Sequence, residues 1–137
     1  MESKKEKSVS IIIAARNEAG NIDKIVETLP NLGTKTEIIF IEGGSKDNTF
    51  EEIIKVAKKY KEKDIKFAKQ FGKGKGDAVR KGFDMAIGDI LMIYDADMTV
   101  PAKDLIKFYE AIISNKGEFI NGCRLVSPME KEAMRTL

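Results

Sequence analysis

The chain has 137 residues, of which 42% are hydrophobic and 34% charged, the balance of one soluble globular domain with room for a proper core. Lys and Arg total 24 against 22 Asp and Glu, and this net charge of +2 is spread along the chain rather than gathered on one face, which argues against a nucleic-acid partner. There is no histidine and a single cysteine, Cys123, so Ser-His-Asp triads, His-based zinc sites, internal disulfides and Cys-x-x-Cys metal sites are all excluded.

Residues 1–7 lack the apolar stretch of a signal peptide, so a solvated tail is expected over residues 1–8 and a folded domain over 9–137. The continuous β-branched run Val9–Ala15 has the character of a strand buried on both faces. Ile22, Ile25, Val26 and Leu29 follow at helical spacing, and Pro30 ends that helix. Residues 37–42 (EIIFIE) form a second buried strand. Asp47 or Asn48 can cap the next helix, whose stripe is Ile53, Ile54, Ala57 and Tyr60.

A short third strand is expected at residues 65–68, then a loop punctuated by Gly72, Gly74 and Gly76. Ala78, Val79, Phe83, Ala86 and Ile87 make a third helix face, and residues 89–94 a fourth strand. Pro101 suits the first turn of a helix whose stripe is Leu105, Phe108, Tyr109, Ile112 and Ile113. Residues 118–124 supply a fifth strand. Cys123 lies in it, and a free thiol at a strand position suits a small buried group in a reducing cytoplasm.

Alternation of this kind predicts an α/β fold: a mostly parallel sheet with helices on both faces and right-handed crossovers. Such sheets bind ligands beyond the carboxyl ends of their strands. The segments that follow strands therefore hold the candidate site residues. Asp95-Ala96-Asp97 places two hard oxygen donors at a loop, a pattern suited to Mg²⁺ or Mn²⁺, although two loop aspartates can equally satisfy backbone N–H groups. In Glu42-Gly-Gly-Ser the glycines allow close approach of a flat ligand, while the same segment also serves as a turn into a capped helix. Gly72-Lys-Gly-Lys75-Gly-Asp77 is neither a P-loop nor a dinucleotide fingerprint, but glycines and lysines at a helix start can face an anion. Arg124 ends the fifth strand, where a guanidinium can grip a diphosphate.

Taken in order, VSIIIAARNEAGNI, IIFIEGGSKDNT, GKGKGDAVRKGF, GDILMIYDADMTVP and GEFINGCRLVSPME resemble family 2 glycosyltransferases of GT-A fold. The resemblance is nearest to the polyprenyl-phosphate branch that includes dolichyl-phosphate mannosyltransferases. It implies that Ala14, Arg16 and Glu18 line a nucleoside, and that Glu42 takes the place of the first acid of Asp-Asp-Gly-Ser. It further implies that Asp95 and Asp97 bind Mg²⁺ or Mn²⁺ with Ala96 at the nucleotide, and that Arg124 contacts the donor phosphates. Gly43 stands in place of the second acid, Arg16 in place of a common Tyr, and Thr99 in place of a metal-contacting Gln of some relatives. Family domains continue past the segment matching Arg124, so the domain is expected to be incomplete at its C-terminus and prone to self-association through uncovered apolar surface.

The implied reaction is sugar transfer from a nucleoside-diphosphate sugar to an acceptor such as a polyprenyl phosphate, in the cytoplasm or at the cytoplasmic face of a membrane. Two alternatives stay open. One is a non-catalytic nucleotide-binding module. The other is a sugar-phosphate nucleotidylyltransferase, although residues 14–20 lack the Gly-rich loop it would want after the first strand.

Overall fold

The computed structural model describes residues 6–114. Its elements are β1 (Val9–Ala15), α1 (Ala19–Thr28), β2 (Thr36–Glu42), α2 (Thr49–Lys59), β3 (Asp64–Lys69), α3 (Lys75–Met85), β4 (Ile90–Ile93) and α4 (Asp104–Ile113). The strands form one sheet in the order β3-β2-β1-β4, and every pairing is parallel. The fifth strand expected at residues 118–124, with Cys123 and Arg124, lies outside the described residues.

The apolar runs of β1, β2 and β4 divide between two cores, as a period of two requires. Ile11, Ile13, Ile38, Phe40, Ile90, Met92 and Tyr94 face the larger core with residues of α1, α2 and α4. Ile12, Ile39, Ile41 and Leu91 face a smaller core closed by Ala78 of α3 and by Ala86. The sheet is thus covered on both faces, which is why these strands read as unbroken hydrophobic runs. β3, at one edge, is only half buried and carries Lys66 and Lys69, charges that suit an edge strand.

Local rules explain most of the boundaries. Leu29 leaves α1 with an extended ψ of 129° because it precedes Pro30. α2 carries Glu51 and Glu52 in its first turn and Lys58 and Lys59 in its last, matching the helix dipole. Three expectations need correcting. Pro101 does not open α4: it lies in a preceding turn, where its carbonyl accepts from Asp104 N–H at 3.0 Å. Ile87 is 64% exposed, because α3 ends at Met85 and the chain extends from Ala86 to reach β4. Lys7 and Ser8, grouped with the tail, are tied to the fold through Thr34 N–H to Lys7 O at 3.1 Å and Ile90 N–H to Ser8 O at 3.0 Å.

One buried carboxylate ties the start of β2 to its neighbours. Glu37 is 2% exposed; it accepts from Ser10 Oγ at 2.5 Å and Ile87 N–H at 2.7 Å, and pairs with Lys66 Nζ at 2.7 Å. Burial pushes its pKa up, but the Lys66 ammonium, the Ser10 hydroxyl and the Ile87 amide together hold it below the ordinary value of 4.5. The unfolded chain therefore binds this proton more readily than the folded one. The stabilisation is complete above the ordinary value and is lost as pH falls through the lower folded value. Glu37→Gln is expected to cost about 2 kcal/mol at neutral pH and to flatten the decline in the urea midpoint between about pH 5 and 3. An unchanged acid limb in the variant would show that Glu37 is not its source.

Candidate functional site

The chain starts at β1, moves outward to β2 and β3, then crosses the opposite face through α3 to reach β4 on the other side of β1. The strand order reverses between β1 and β4, so the loops that leave these strands diverge and open a crevice at the carboxyl end of the sheet. A cleft of about 810 Å³ lies there, within the usual size for a small-molecule site. Its lining comes from the end of β1 (Ala14 to Arg16, with Glu18), the end of β2 (Ile41, Gly43, Gly44), the loop into α3 (Gln70 and Gly72 to Lys75) and the turn after β4 (Asp95 to Asp97).

The loops after β1 and β2 hold each other. Asn17 adopts a left-handed φ of 55°, which Asn tolerates better than other side chains. Its N–H donates to Ser45 Oγ at 2.9 Å, and its Oδ1 accepts from Lys46 N–H at 2.7 Å. Asp47 accepts from Thr49 N–H at 3.0 Å and, with its other oxygen, from Ala19 N–H at 3.2 Å. Thr49 Oγ1 accepts from Glu18 N–H at 2.9 Å. Side chains at the start of α2 thus accept from the open amides at the start of α1 across 28 to 31 residues of chain, and Asn48, the residue before α2, makes no side-chain cap. Asn17→Ala should cost about 1–2 kcal/mol from left-handed strain and a lost hydrogen bond, with Asn17→Gly recovering the strain part, both read from urea unfolding.

Glu42 ends β2 beside the cleft, but its carboxylate turns back into the following turn, where Ser45 N–H donates to it. Burial raises its pKa, and the hydrogen bonds from the Ser45 hydroxyl, Ser45 N–H and Gly44 N–H outweigh that, so the net shift is downward and Glu42 stays ionised. Its side chain is 4% exposed and does not line the cleft. The polar group present at that position is instead Gln70, which sequence reasoning passed over. Its backbone extends the β2–β3 ladder by donating to Glu42 O at 2.8 Å. Its Nε2 donates to Gly74 O at 2.8 Å and Asp77 Oδ2 at 3.2 Å, and its Oε1 lies beside Gly43. A glutamine one residue past a strand carries no spacing signal that would single it out.

The turn after β4 is braced on several sides. Tyr94, almost fully buried, donates to Val100 O at 2.6 Å and closes the loop. Asp97 Oδ1 accepts from Thr99 N–H and Thr99 Oγ1, both at 3.0 Å, and Met98 takes a left-handed φ of 58°. Asn21, another residue not singled out in the sequence, donates to Ala96 O and to Glu18 Oε1, each at 3.0 Å, and so links the turn to α1. Lys75, the first residue of α3, forms an ion pair with Asp95 across the cleft. The fold therefore brings Ala14, Arg16, Glu18, Lys75, Asp95, Ala96 and Asp97 to one cleft.

The donor set at Asp95 and Asp97 fits a hard divalent cation, since Mg²⁺ commonly takes one or two carboxylates with phosphates and water. Among the described residues no group of three or more His, Cys, Asp or Glu could hold a metal. A cation here would need further oxygens from a ligand.

A doubly covered parallel sheet with a polar cleft at its switch point is a doubly wound α/β domain, and its likeness to solved structures makes it GT-A-type. The sequence matches the profile of glycosyl transferase family 2 over residues 10–136, and the chain belongs to that family. It is 34% identical over 120 residues to a dolichol-phosphate mannosyltransferase of Pyrococcus furiosus, a match covering 86% of this chain and 33% of that protein. Its fold superposes with a TM-score of 0.67 on a mannosyltransferase from Pyrobaculum calidifontis in complex with GDP-Man and Mn²⁺, at 24% identity, covering 79% of this chain and 32% of the other. A glucosyl-3-phosphoglycerate synthase from Mycobacterium tuberculosis in complex with UDP gives 0.65 at 20% identity, covering 85% and 45%. The chain thus spans about a third of the length of the Pyrococcus relative.

Proposed function

We propose that this chain forms the donor side of a glycosyltransferase that binds a nucleoside-diphosphate sugar in the switch-point cleft. The observation that carries the reading is the convergence of the candidate residues on one cleft: Ala14, Arg16, Glu18, the glycines after β2, Lys75 and Asp95-Ala96-Asp97 all line it. The α3 N-terminus, where Lys75 sits, adds a partial positive charge that suits a diphosphate. Asp95 and Asp97 would hold Mg²⁺ or Mn²⁺, and the cation would neutralise charge on the departing diphosphate. Arg124, outside the described residues, is assigned to the same phosphates.

The acceptor in this reading is a lipid phosphate, as the name of the Pyrococcus relative suggests. A phosphate is already ionised at neutral pH, so attack needs no general base, in keeping with a chain that has no histidine. No helix among the described residues is long and apolar enough to cross a membrane. The reading places the reaction in the cytoplasm or at the cytoplasmic face of a membrane.

Calorimetry with UDP and GDP, each with and without Mn²⁺, tests the donor assignment. Binding of at least one nucleotide that requires the metal is expected. No binding of either would remove the assignment. A radiolabelled transfer assay to a polyprenyl phosphate, run on the same preparation, separates a catalytic chain from one that only binds.

A further inference from the structure

We infer that Lys75 is the built-in counter-ion of the metal site: it holds Asp95 while no cation is bound, and passes to the donor's diphosphate when a cation takes its place. This rests on the assignment of Asp95 and Asp97 as cation ligands. The two side chains come from different sides of the cleft, Lys75 from the start of α3 and Asp95 from the turn after β4, 20 residues apart. Their side chains are 42% and 23% exposed, so water screens the pair and lets it exchange. An ammonium and a divalent cation cannot both sit on the same carboxylate at little cost, because like charges at contact repel.

The Lys75 side chain is 42% exposed, so water rather than packed neighbours surrounds much of it. Its flexible four-carbon stem lets the ammonium reach a new anion without moving the helix. The new anion would be a phosphate oxygen at the N-terminus of α3, where Gly74 offers no side-chain cap to the open amides. The pairing with Asp95 places the ammonium where it competes with a metal for the same carboxylate, and so discourages a metal from binding before the nucleotide arrives.

The exchange predicts effects of opposite sign from one substitution, which a purely structural role for Lys75 would not produce. Lys75→Gln should bind Mn²⁺ alone more tightly than wild type, by about fivefold, because the competing cation is gone. At saturating Mn²⁺ the same variant should bind UDP or GDP more weakly, by about tenfold, because one phosphate partner is gone. Mn²⁺ affinity is read by electron paramagnetic resonance of the free ion and nucleotide affinity by calorimetry, with wild type, Lys75→Gln and Asp97→Asn in parallel. Mn²⁺ binding no tighter in Lys75→Gln than in wild type, while Asp97→Asn abolishes metal-dependent nucleotide binding, overturns the counter-ion role and leaves the metal assignment standing. Absence of any metal dependence in all three proteins overturns both.

Discussion

Asp97→Asn is expected to remove the Mn²⁺ dependence of nucleotide binding and to weaken it at saturating metal by about 100-fold, while the fold is retained. The magnitude follows from the thin donor set. Asp95 and Asp97 are the carboxylates of the turn after β4, and among the described residues no cluster of three or more potential ligands could compensate. Substitutions that only disturb the groups around a metal ligand already cost about 10–100-fold, so loss of a ligand belongs at the upper end. The amide keeps the shape of the side chain and can still accept from Thr99 N–H and Oγ1, so the turn should survive. Calorimetry with and without EDTA, together with an unfolding curve of the same variant, gives the answer. Equal nucleotide affinity in EDTA and in Mn²⁺ for the wild type would remove Asp95 and Asp97 from the metal assignment.

Gly82→Val is expected to destabilise the domain by about 3 kcal/mol, because it overpacks the small core under α3. A Cβ at Gly82 would lie 2.5 Å from Ile12 Cγ2 and 3.0 Å from Ile12 Cγ1, and Ile12 is fully buried in the central strand. The strand cannot yield without disturbing its register with β2 and β4, so α3 must move away from the sheet. Lys75 and the glycine loop move with it, and nucleotide affinity should fall together with stability. Gly76→Ala is the control, since the space around Gly76 is open: it should leave stability unchanged or raise it by up to about 1 kcal/mol. Urea midpoints and melting temperatures of the two variants check this. A wild-type midpoint for Gly82→Val would mean that α3 is not seated through Gly82.

Several features are legible in the sequence alone. The β-branched runs that became β1 and β2, the helix stripes of α1 and α2, and the placement of the candidate residues after strand ends all follow from short-range periodicity. Leu29 and Pro30 marked the end of α1 because the steric effect of proline on its predecessor is local. Proline suits a turn as well as a first helical position, and at Pro101 the turn wins, a choice that depends on where α4 packs.

The amino-acid order by itself thus determined the segments that form β1 to β4 and α1 to α4, since each depends on neighbours within a few residues. It also carried the family, because five weak motifs in a fixed order are jointly specific. Contacts between segments distant in sequence were decided only by the tertiary structure. Among the described residues, the order β3-β2-β1-β4, with the crossover through α3 on the face opposite α1 and α2, created the switch point. The turning of Glu42 into its own loop, the arrival of Gln70 beside Gly43 and the pairing of Lys75 with Asp95 likewise have no sequence signature. Each is a choice among partners that the chain offers in several places, and it is settled by which side chains the packed sheet brings within reach.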